Sequence, residues 1–121
     1  PDHGSKAFGL TWPNFLKTDQ QPAPPYWAAI FISTRSEENE GYAAMDQATI
    51  ERAQQIEGFL GYVHAKEQSQ GIFISYWASL EAIERWKEDS LHKAAKDKGK
   101  KSWYTRFISQ VVEIKSHTIK S

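Results

Sequence analysis

A few side chains in this sequence have the types and spacing needed for acid–base or anion-binding chemistry. Tyr62 and His64 stand two residues apart in the segment FLGYVHAKE, so a strand would place both side chains on one face. His64 could accept or donate a proton, although a single half-buried histidine is more often a hydrogen-bonded structural residue. Arg106 interrupts an otherwise apolar run, and a buried arginine must be paired or must hold an anion. We take His64 and Arg106 as the candidate catalytic residues.

Two tryptophans flank the junction between the segments GIFISYW and ASLEAIERWKEDS. Trp77 could stack on the ring of a planar aromatic ligand. The alternative is a core role, since aromatic side chains on strands are usually buried. Trp86 shares a helical face with Ile83, which favours core packing. We expect Trp86 to be core and Trp77 to border a pocket, with Tyr62 and His92 as further substrate-binding candidates.

His92 begins the basic segment HKAAKDKGKK, and its simpler role is a hydrogen bond to backbone near Ser90. The lysines of this segment could bind an anion, but a solvated helix end favoured by the helix dipole explains them better. Lys+Arg and Asp+Glu each number 15, so the chain lacks the basic excess that phosphate binding requires. We therefore expect no nucleic-acid partner.

Composition excludes several further classes of site. The 121 residues include no cysteine, which rules out disulfides and thiolate metal sites and fits a reducing cytoplasm. No cluster of His, Asp and Glu has the spacing of metal ligands, and no Gly-rich phosphate loop is present. No apolar run is long enough to span a bilayer. We expect a cytoplasmic protein without a metal site.

The hydrophobic pattern predicts four strands and two main helical regions. Ser36 is the expected cap of the first helix, with Gly58 at its end, and Ser79 is the expected cap of the second. Ser90 is the expected cap of a further short helix that runs through Lys98 and is ended by Gly99. The predicted strands are Tyr26–Arg35, Phe59–Glu67, Ile72–Trp77 and Ser102–Ser116.

The order of these elements is βαββαβ, which predicts an α+β, ferredoxin-like fold. Its four-stranded antiparallel sheet would carry the helices on one face. We expect this domain to occupy residues 26–116, preceded by an N-terminal arm, residues 1–25, that begins with a possible vector-derived DHGS. The polar, proline-rich end of the arm should be irregular, and its apolar part should lie on the domain or on a partner subunit.

The first and last predicted strands are apolar in both of their alternating registers. Exposing such a second sheet face would cost about 25 cal/mol for each Å² left in water. Two sheets pairing face to face across a two-fold axis would cover it. We therefore predict a homodimer with a barrel-like shared core.

The segments YWAAIFISTR, GFLGYVHAKE and ISYWASLEAIERWKEDSLHKAA resemble the antibiotic biosynthesis monooxygenase family of the dimeric α+β barrel superfamily. The resemblance runs from Tyr26 to about Lys115. It implies a cofactor-independent monooxygenase that acts on a small aromatic or polyketide-like molecule. The alternative it leaves open is a non-catalytic, small-ligand-binding or stress-related protein on the same fold, and we expect in either case a small apolar or aromatic ligand.

A haem-degrading branch of the same family is less similar to this chain. That branch has a tryptophan at the position of Trp77, an asparagine on the first strand and an axial histidine on the later helix. Here the first strand, YWAAIFIS, has no asparagine, and Lys96 aligns with the axial histidine. His92 lies one turn earlier and could substitute only if the helix shifted. We rank haem binding or degradation below the other two functions.

Overall fold

The computed structural model describes residues 23–119, so the predicted arm lies outside the described residues except for its last three positions. The predicted α+β, ferredoxin-like fold is confirmed. The first five elements along the chain are β1 Tyr26–Arg35, α1 Tyr42–Ala53, β2 Phe59–Glu67, β3 Gln70–Trp77 and α2 Leu80–Glu88. The remainder comprises α3 Ser90–Lys98, a π-helical turn Gly99–Trp103 and β4 Tyr104–Ile114.

The four strands form one antiparallel sheet in the order β2-β3-β1-β4. In the register of the central pair, Phe31 lies opposite Phe73 and Ile32 opposite Ile72. Successive side chains therefore alternate between an inner face, which the helices cover, and an outer face, which they do not. None of the described helices is long and apolar enough to cross a lipid bilayer.

The core lies between α2 and one end of the inner face. Its buried members are Ala53, Trp77, Ala82, Ile83 and Trp86. The helix α2 reaches this position because the Ser79 side chain accepts a hydrogen bond from the Ala82 backbone N–H at 3.1 Å, which caps its first turn. The prediction for Ser79 is confirmed.

The predicted caps Ser36 and Ser90 are wrong, whereas the predicted end of α3 at Lys98 is confirmed. Ser36 lies six residues before α1 and bonds to the Glu38 N–H instead, and α1 begins after Gly41 without a side-chain cap. Asp89 caps α3 through the Leu91 N–H at 3.0 Å. Gly99 has right-handed helical angles and continues into the π-helical turn, which delays the last strand to Tyr104.

Gly58 is left-handed as expected, with φ of 97°, but it lies beyond α1, in the turn before β2. A Cβ at Gly58 would lie 2.6 Å from the Cβ of Ala82. Glycine is therefore needed there for close approach to α2 as well as for its backbone angle.

The outer face carries a patch of exposed aliphatic side chains. Ile32, Ile72, Ile108 and Val112 are 39–56 % exposed. The described helices all lie on the inner side, so no helix within residues 23–119 covers this patch. The outer face therefore remains a large apolar surface.

Candidate active site between the sheet and the helices

A cavity of about 550 Å³, here called the inner cavity, lies between the inner face and the helices. It has an aromatic and aliphatic wall with a few polar groups, which is the usual character of a small-molecule site. Its floor on the sheet includes Ala29, Phe31, His64, Phe73 and Ser75. Its helical wall includes Tyr42, Asp46, Ile83, Trp86, His92 and Lys96.

His64 lines the inner cavity and has a carboxylate nearby. Its ring stacks on Tyr62, with centroids 6.1 Å apart and planes within 9°. Burial raises the pKa of Asp46, and the positive charges of His64, Arg35 and Lys66 partly oppose that rise. An imidazole that interacts electrostatically with a carboxylate can accept a proton from a bound ligand, because the carboxylate stabilises the imidazolium.

His92 also lines the inner cavity, and its surroundings keep it neutral. Burial, assisted by the positive charge of Lys96, lowers its pKa to about 4. Its Nδ1 lies 3.1 Å from the carbonyl oxygen of Trp86, and its ring stacks on the Trp86 indole at 4.2 Å. Because a carbonyl only accepts, Nδ1 carries the proton and the neutral ring keeps a lone pair on Nε2. The predicted backbone bond of His92 exists, but its partner is Trp86 rather than backbone near Ser90.

Tyr104 supplies a hydroxyl to the wall where β4 begins. Burial raises its pKa above the ordinary tyrosine value, so the phenol stays protonated and can donate a hydrogen bond. Its ring packs edge-on against Phe31, with centroids 5.1 Å apart. A Cβ at Gly99 would lie 2.7 Å from the Tyr104 ring, so glycine in the π-helical turn makes room for this ring.

Arg35 places a positive charge at one end of the inner cavity. Its Nε donates to the Trp103 carbonyl at 3.2 Å, and one terminal nitrogen donates to the Asn39 side chain at 2.7 Å. The guanidinium lies over the Tyr42 ring, 3.3 Å from its centroid. Planar stacking and several hydrogen bonds fix the orientation of an arginine without neutralising it.

The prediction that Trp86 is a core residue is confirmed, whereas the prediction that Trp77 borders a pocket is wrong. Trp77 is fully buried, and its Nε1 donates to the Ser75 hydroxyl at 2.8 Å. It does not line the inner cavity, whereas Trp86 does. The physical reason is that α2 folds back over the end of β3 and encloses Trp77, while the Trp86 ring stacks on Trp77 and also on His92 at the start of α3, where it borders the cavity.

Arg106 lies on the opposite side of the sheet from His64. It is exposed, and its Nε lies 3.3 Å from the Thr34 hydroxyl. It lines an outer groove together with Ile32 and Ile108. The expectation of a buried arginine is wrong, because Arg106 falls on the face that the helices leave uncovered. The structure does not bring it together with the inner cavity.

Tyr62 lies on the inner face as predicted, but beside the cavity rather than in its wall. Its ring stacks on Phe73, with centroids 5.7 Å apart. Phe73 does line the cavity, so Tyr62 can support the cavity floor. Its predicted role in substrate binding stays a prediction.

Sequence reasoning missed Asp46 and Tyr104, and it treated Arg35 only as the end of the first strand. A signal for Arg35 was present, since it follows a nearly uncharged strand directly. Asp46 lies among the polar positions of α1, and nothing in the pattern separates it from a solvent-facing residue. Within residues 23–119 no group of three or more His, Asp or Glu side chains lies close enough to hold a metal ion.

The described residues form a ferredoxin-like α+β fold with a cavity between sheet and helices. A family model described as antibiotic biosynthesis monooxygenase matches residues 25–98. The chain is also 38% identical over 94 residues to the uncharacterized protein YqjZ of Bacillus subtilis, covering 77% of this chain and 82% of that one. The chain belongs to the antibiotic biosynthesis monooxygenase family.

Solved structures show the same fold at low sequence identity. SnoaB, a cofactor-independent oxygenase from Streptomyces nogalater, superposes with a TM-score of 0.63 at 11% identity, covering 79% of this chain and 97% of that one. The protein SO0527 of Shewanella oneidensis gives a TM-score of 0.66 at 8% identity, over 74% of this chain and 91% of its own. At these identities the likeness concerns the fold.

Proposed function

We propose that this protein is a cofactor-independent monooxygenase whose substrate, a small aromatic or polyketide-like molecule with an acidic phenol or enol, binds in the inner cavity. The observation that carries the proposal is the cavity itself, which combines an aromatic wall with His64 and Asp46 at its floor and helix side. Family membership and the likeness to SnoaB support an oxygenase rather than another reaction class.

The reaction needs a base, a dry site and O₂. In our proposal His64 accepts the proton from the phenol or enol, and Asp46 stabilises the imidazolium that forms. The substrate carbanion then gives one electron to O₂, and the two radicals combine as a peroxide. Loss of water from this peroxide leaves a carbonyl, so one oxygen atom enters the product and the other leaves as water. The Tyr104 hydroxyl is suited to donate to the substrate oxygen as negative charge develops there.

A panel of hydroxylated anthrones and naphthols, assayed for O₂ uptake without added cofactor, tests this function. We expect uptake that survives a metal chelator and falls at least about 100-fold in His64→Gln, the scale on which general bases contribute. Saturable binding with no uptake from any compound would instead establish the alternative, a non-catalytic ligand-binding protein. The predicted catalytic role of Arg106 finds no support in its position on the outer face.

We further propose a homodimer that pairs through the outer faces of two sheets. The exposed aliphatic patch of Ile32, Ile72, Ile108 and Val112 supports this, because a second copy would remove it from water. Arg106 would then lie at the edge of the interface rather than in the ligand site.

Haem binding fits the residues of the cavity less well. Lys96 lines the wall at the position aligned with the axial histidine, and the His92 ring is held flat against Trp86. A haemin titration should therefore give no sharp one-to-one Soret shift, and a histidine-ligated spectrum that disappears in His92→Gln would contradict this ranking.

A further inference from the structure

The charges around the inner cavity are strongly one-sided. Among residues 23–119, its wall includes one carboxylate, Asp46, and five basic side chains: Arg35, Lys66, Lys87, Lys96 and Lys100. The whole chain is balanced, with 15 basic and 15 acidic residues, so this positive excess is local. Of the five, only Lys87 forms an ion pair within the described residues, with Glu84 at 3.7 Å.

Arg35 is the basic group most firmly placed for a ligand. It is partly buried, and its hydrogen bonds go to the neutral oxygens of Trp103, Glu38 and Asn39. The Glu38 partner is its backbone carbonyl, so no carboxylate in the part of the chain that the structure describes contacts the guanidinium. A partly buried arginine held by neutral groups is a fixed positive charge that can receive an anion.

The strand register places this charge at the opposite end of the cavity from Trp86. Lys66 lies opposite Gly71 at the same end of the sheet as Arg35. Ser75, next to the Trp77 and Trp86 pair, lies four residues further along β3. Four strand residues span about 13 Å. The space between the two ends is long enough for two or three fused rings.

We propose that the inner cavity selects planar aromatic ligands that carry a carboxylate, with Arg35 as the main anchor and Lys66 as the second. The ring system lies over Phe31 and Phe73, and its carboxylate points to the Arg35 end. This inference rests on the proposed function only in that both use the inner cavity. Asp46, the one carboxylate in the wall, limits the attraction for the anion.

The test is anaerobic calorimetric titration with 1-hydroxy-2-naphthoate and 1-naphthol, a pair that differs by the carboxylate. Wild type should bind the naphthoate at least about tenfold more tightly, as expected for one well-formed ion pair. The preference should weaken with added salt, whereas 1-naphthol binding should not. Equal affinities for the two compounds would overturn the proposal.

Charge-neutralising variants assign the preference to named residues. Arg35→Gln and Lys66→Gln should each lower naphthoate affinity several-fold and leave 1-naphthol affinity nearly unchanged. Lys93→Gln, on the exposed side of α3, is the matched control and should change neither. Since Arg35 also holds the loop before α1, Lys66→Gln and Asp46→Asn carry the test if Arg35→Gln does not fold.

Asp46→Asn removes a negative charge from the cavity wall and should strengthen naphthoate binding. A gain in affinity cannot come from a damaged fold, so this variant tests the electrostatic explanation alone. A preference unchanged in Lys66→Gln and Asp46→Asn would overturn the assignment. The oxygen-uptake assay remains independent of this result. If the protein prefers the naphthoate but takes up no O₂, the carboxylate inference holds and the monooxygenase function is refuted. If it takes up O₂ with neutral anthrones but does not prefer the naphthoate, the monooxygenase function holds and the carboxylate inference is refuted.

Discussion

The two faces of the sheet are both apolar, yet they meet different surroundings. The inner face carries rings, among them Trp77, which α2 encloses completely, and Phe31, which borders a cavity. The outer face carries aliphatic side chains such as Ile72 and Ile108, which are 45% and 56% exposed. The comparison teaches that alternation along a strand identifies which residues share a face, while the packing of the helices decides which face becomes core and which becomes an interface.

The largest expected loss of stability comes from truncating a side chain at the enclosed end of the inner face. Trp77→Ala should lower the free energy of unfolding by about 3–5 kcal/mol, as truncation of a fully buried aromatic does. Affinity for 1-naphthol in the folded protein should stay unchanged, because Trp77 does not line the cavity. Trp86→Ala should destabilise the protein and also alter binding. Urea melts and ligand titrations of both variants check this, and the opposite pattern would restore Trp77 as the pocket residue.

A charge introduced on the outer face should weaken dimerisation but leave the fold of the single chain intact. Ile108→Lys places two unpaired charges in the proposed interface and should weaken dimerisation by about 3 kcal/mol, more than 100-fold. Sedimentation at micromolar concentration should then give the 13.9 kDa chain mass instead of twice that value. Leu80→Lys is the matched control, because Leu80 is 42% exposed at the start of α2. A wild-type monomer would contradict the proposed homodimer.

On the helix-covered side of the sheet, His92 should make the stability of the protein depend on pH. The pKa of His92 is lowered from 6.5 to about 4 in the folded protein, so the unfolded chain binds more protons between these values. Stability should therefore fall as pH drops from about 6.5 to about 4, by up to about 2–3 kcal/mol from this residue. In His92→Gln that part of the loss should be absent. Urea melts at several pH values measure the free energy of unfolding of wild type and His92→Gln. If the two proteins lose stability in parallel as pH falls, His92 does not cause the loss.

A smaller effect is expected where the π-helical turn meets the inner cavity. Gly99→Ala should destabilise by about 1–2 kcal/mol, because the new methyl group would overlap the Tyr104 ring. Gly71→Ala is the matched control, since its nearest atoms lie at 3.9 Å, and it should not destabilise by overlap. Thermal melts compare the two. If both variants behave alike, the Tyr104 ring is not confined by Gly99.

The smallest effect should come from Arg106. Arg106→Ala removes an exposed side chain on the outer face and should change 1-naphthol affinity less than about twofold. Lys66→Gln provides the contrast, since it should weaken naphthoate binding several-fold. A large loss of ligand binding or O₂ uptake in Arg106→Ala would show that the outer face contributes to the site after all.

Local signals explain which parts of the structure could be predicted. Ser79 precedes an amphipathic segment with no competing cap, and the prediction for it is correct. Ser36 has the same residue type, but its hydroxyl is used by the Glu38 N–H and by the Ser102 carbonyl of a distant segment. At α3 the cap is Asp89 rather than the neighbouring serine. A capping residue can be recognised from sequence only when its choice of partner is local.

The sequence by itself determined the order of strands and helices, the antiparallel sheet and the family, because hydrophobic period and turn residues act over a few positions. It also placed Tyr62 and His64 on one face. Only the tertiary structure decided which face the helices cover, and hence that Trp77 is core, that Arg106 lies outside and that Arg35 and Asp46 share a cavity with His64. These pairings join residues far apart in the chain, and their geometry depends on how the helices close over the sheet rather than on any local pattern.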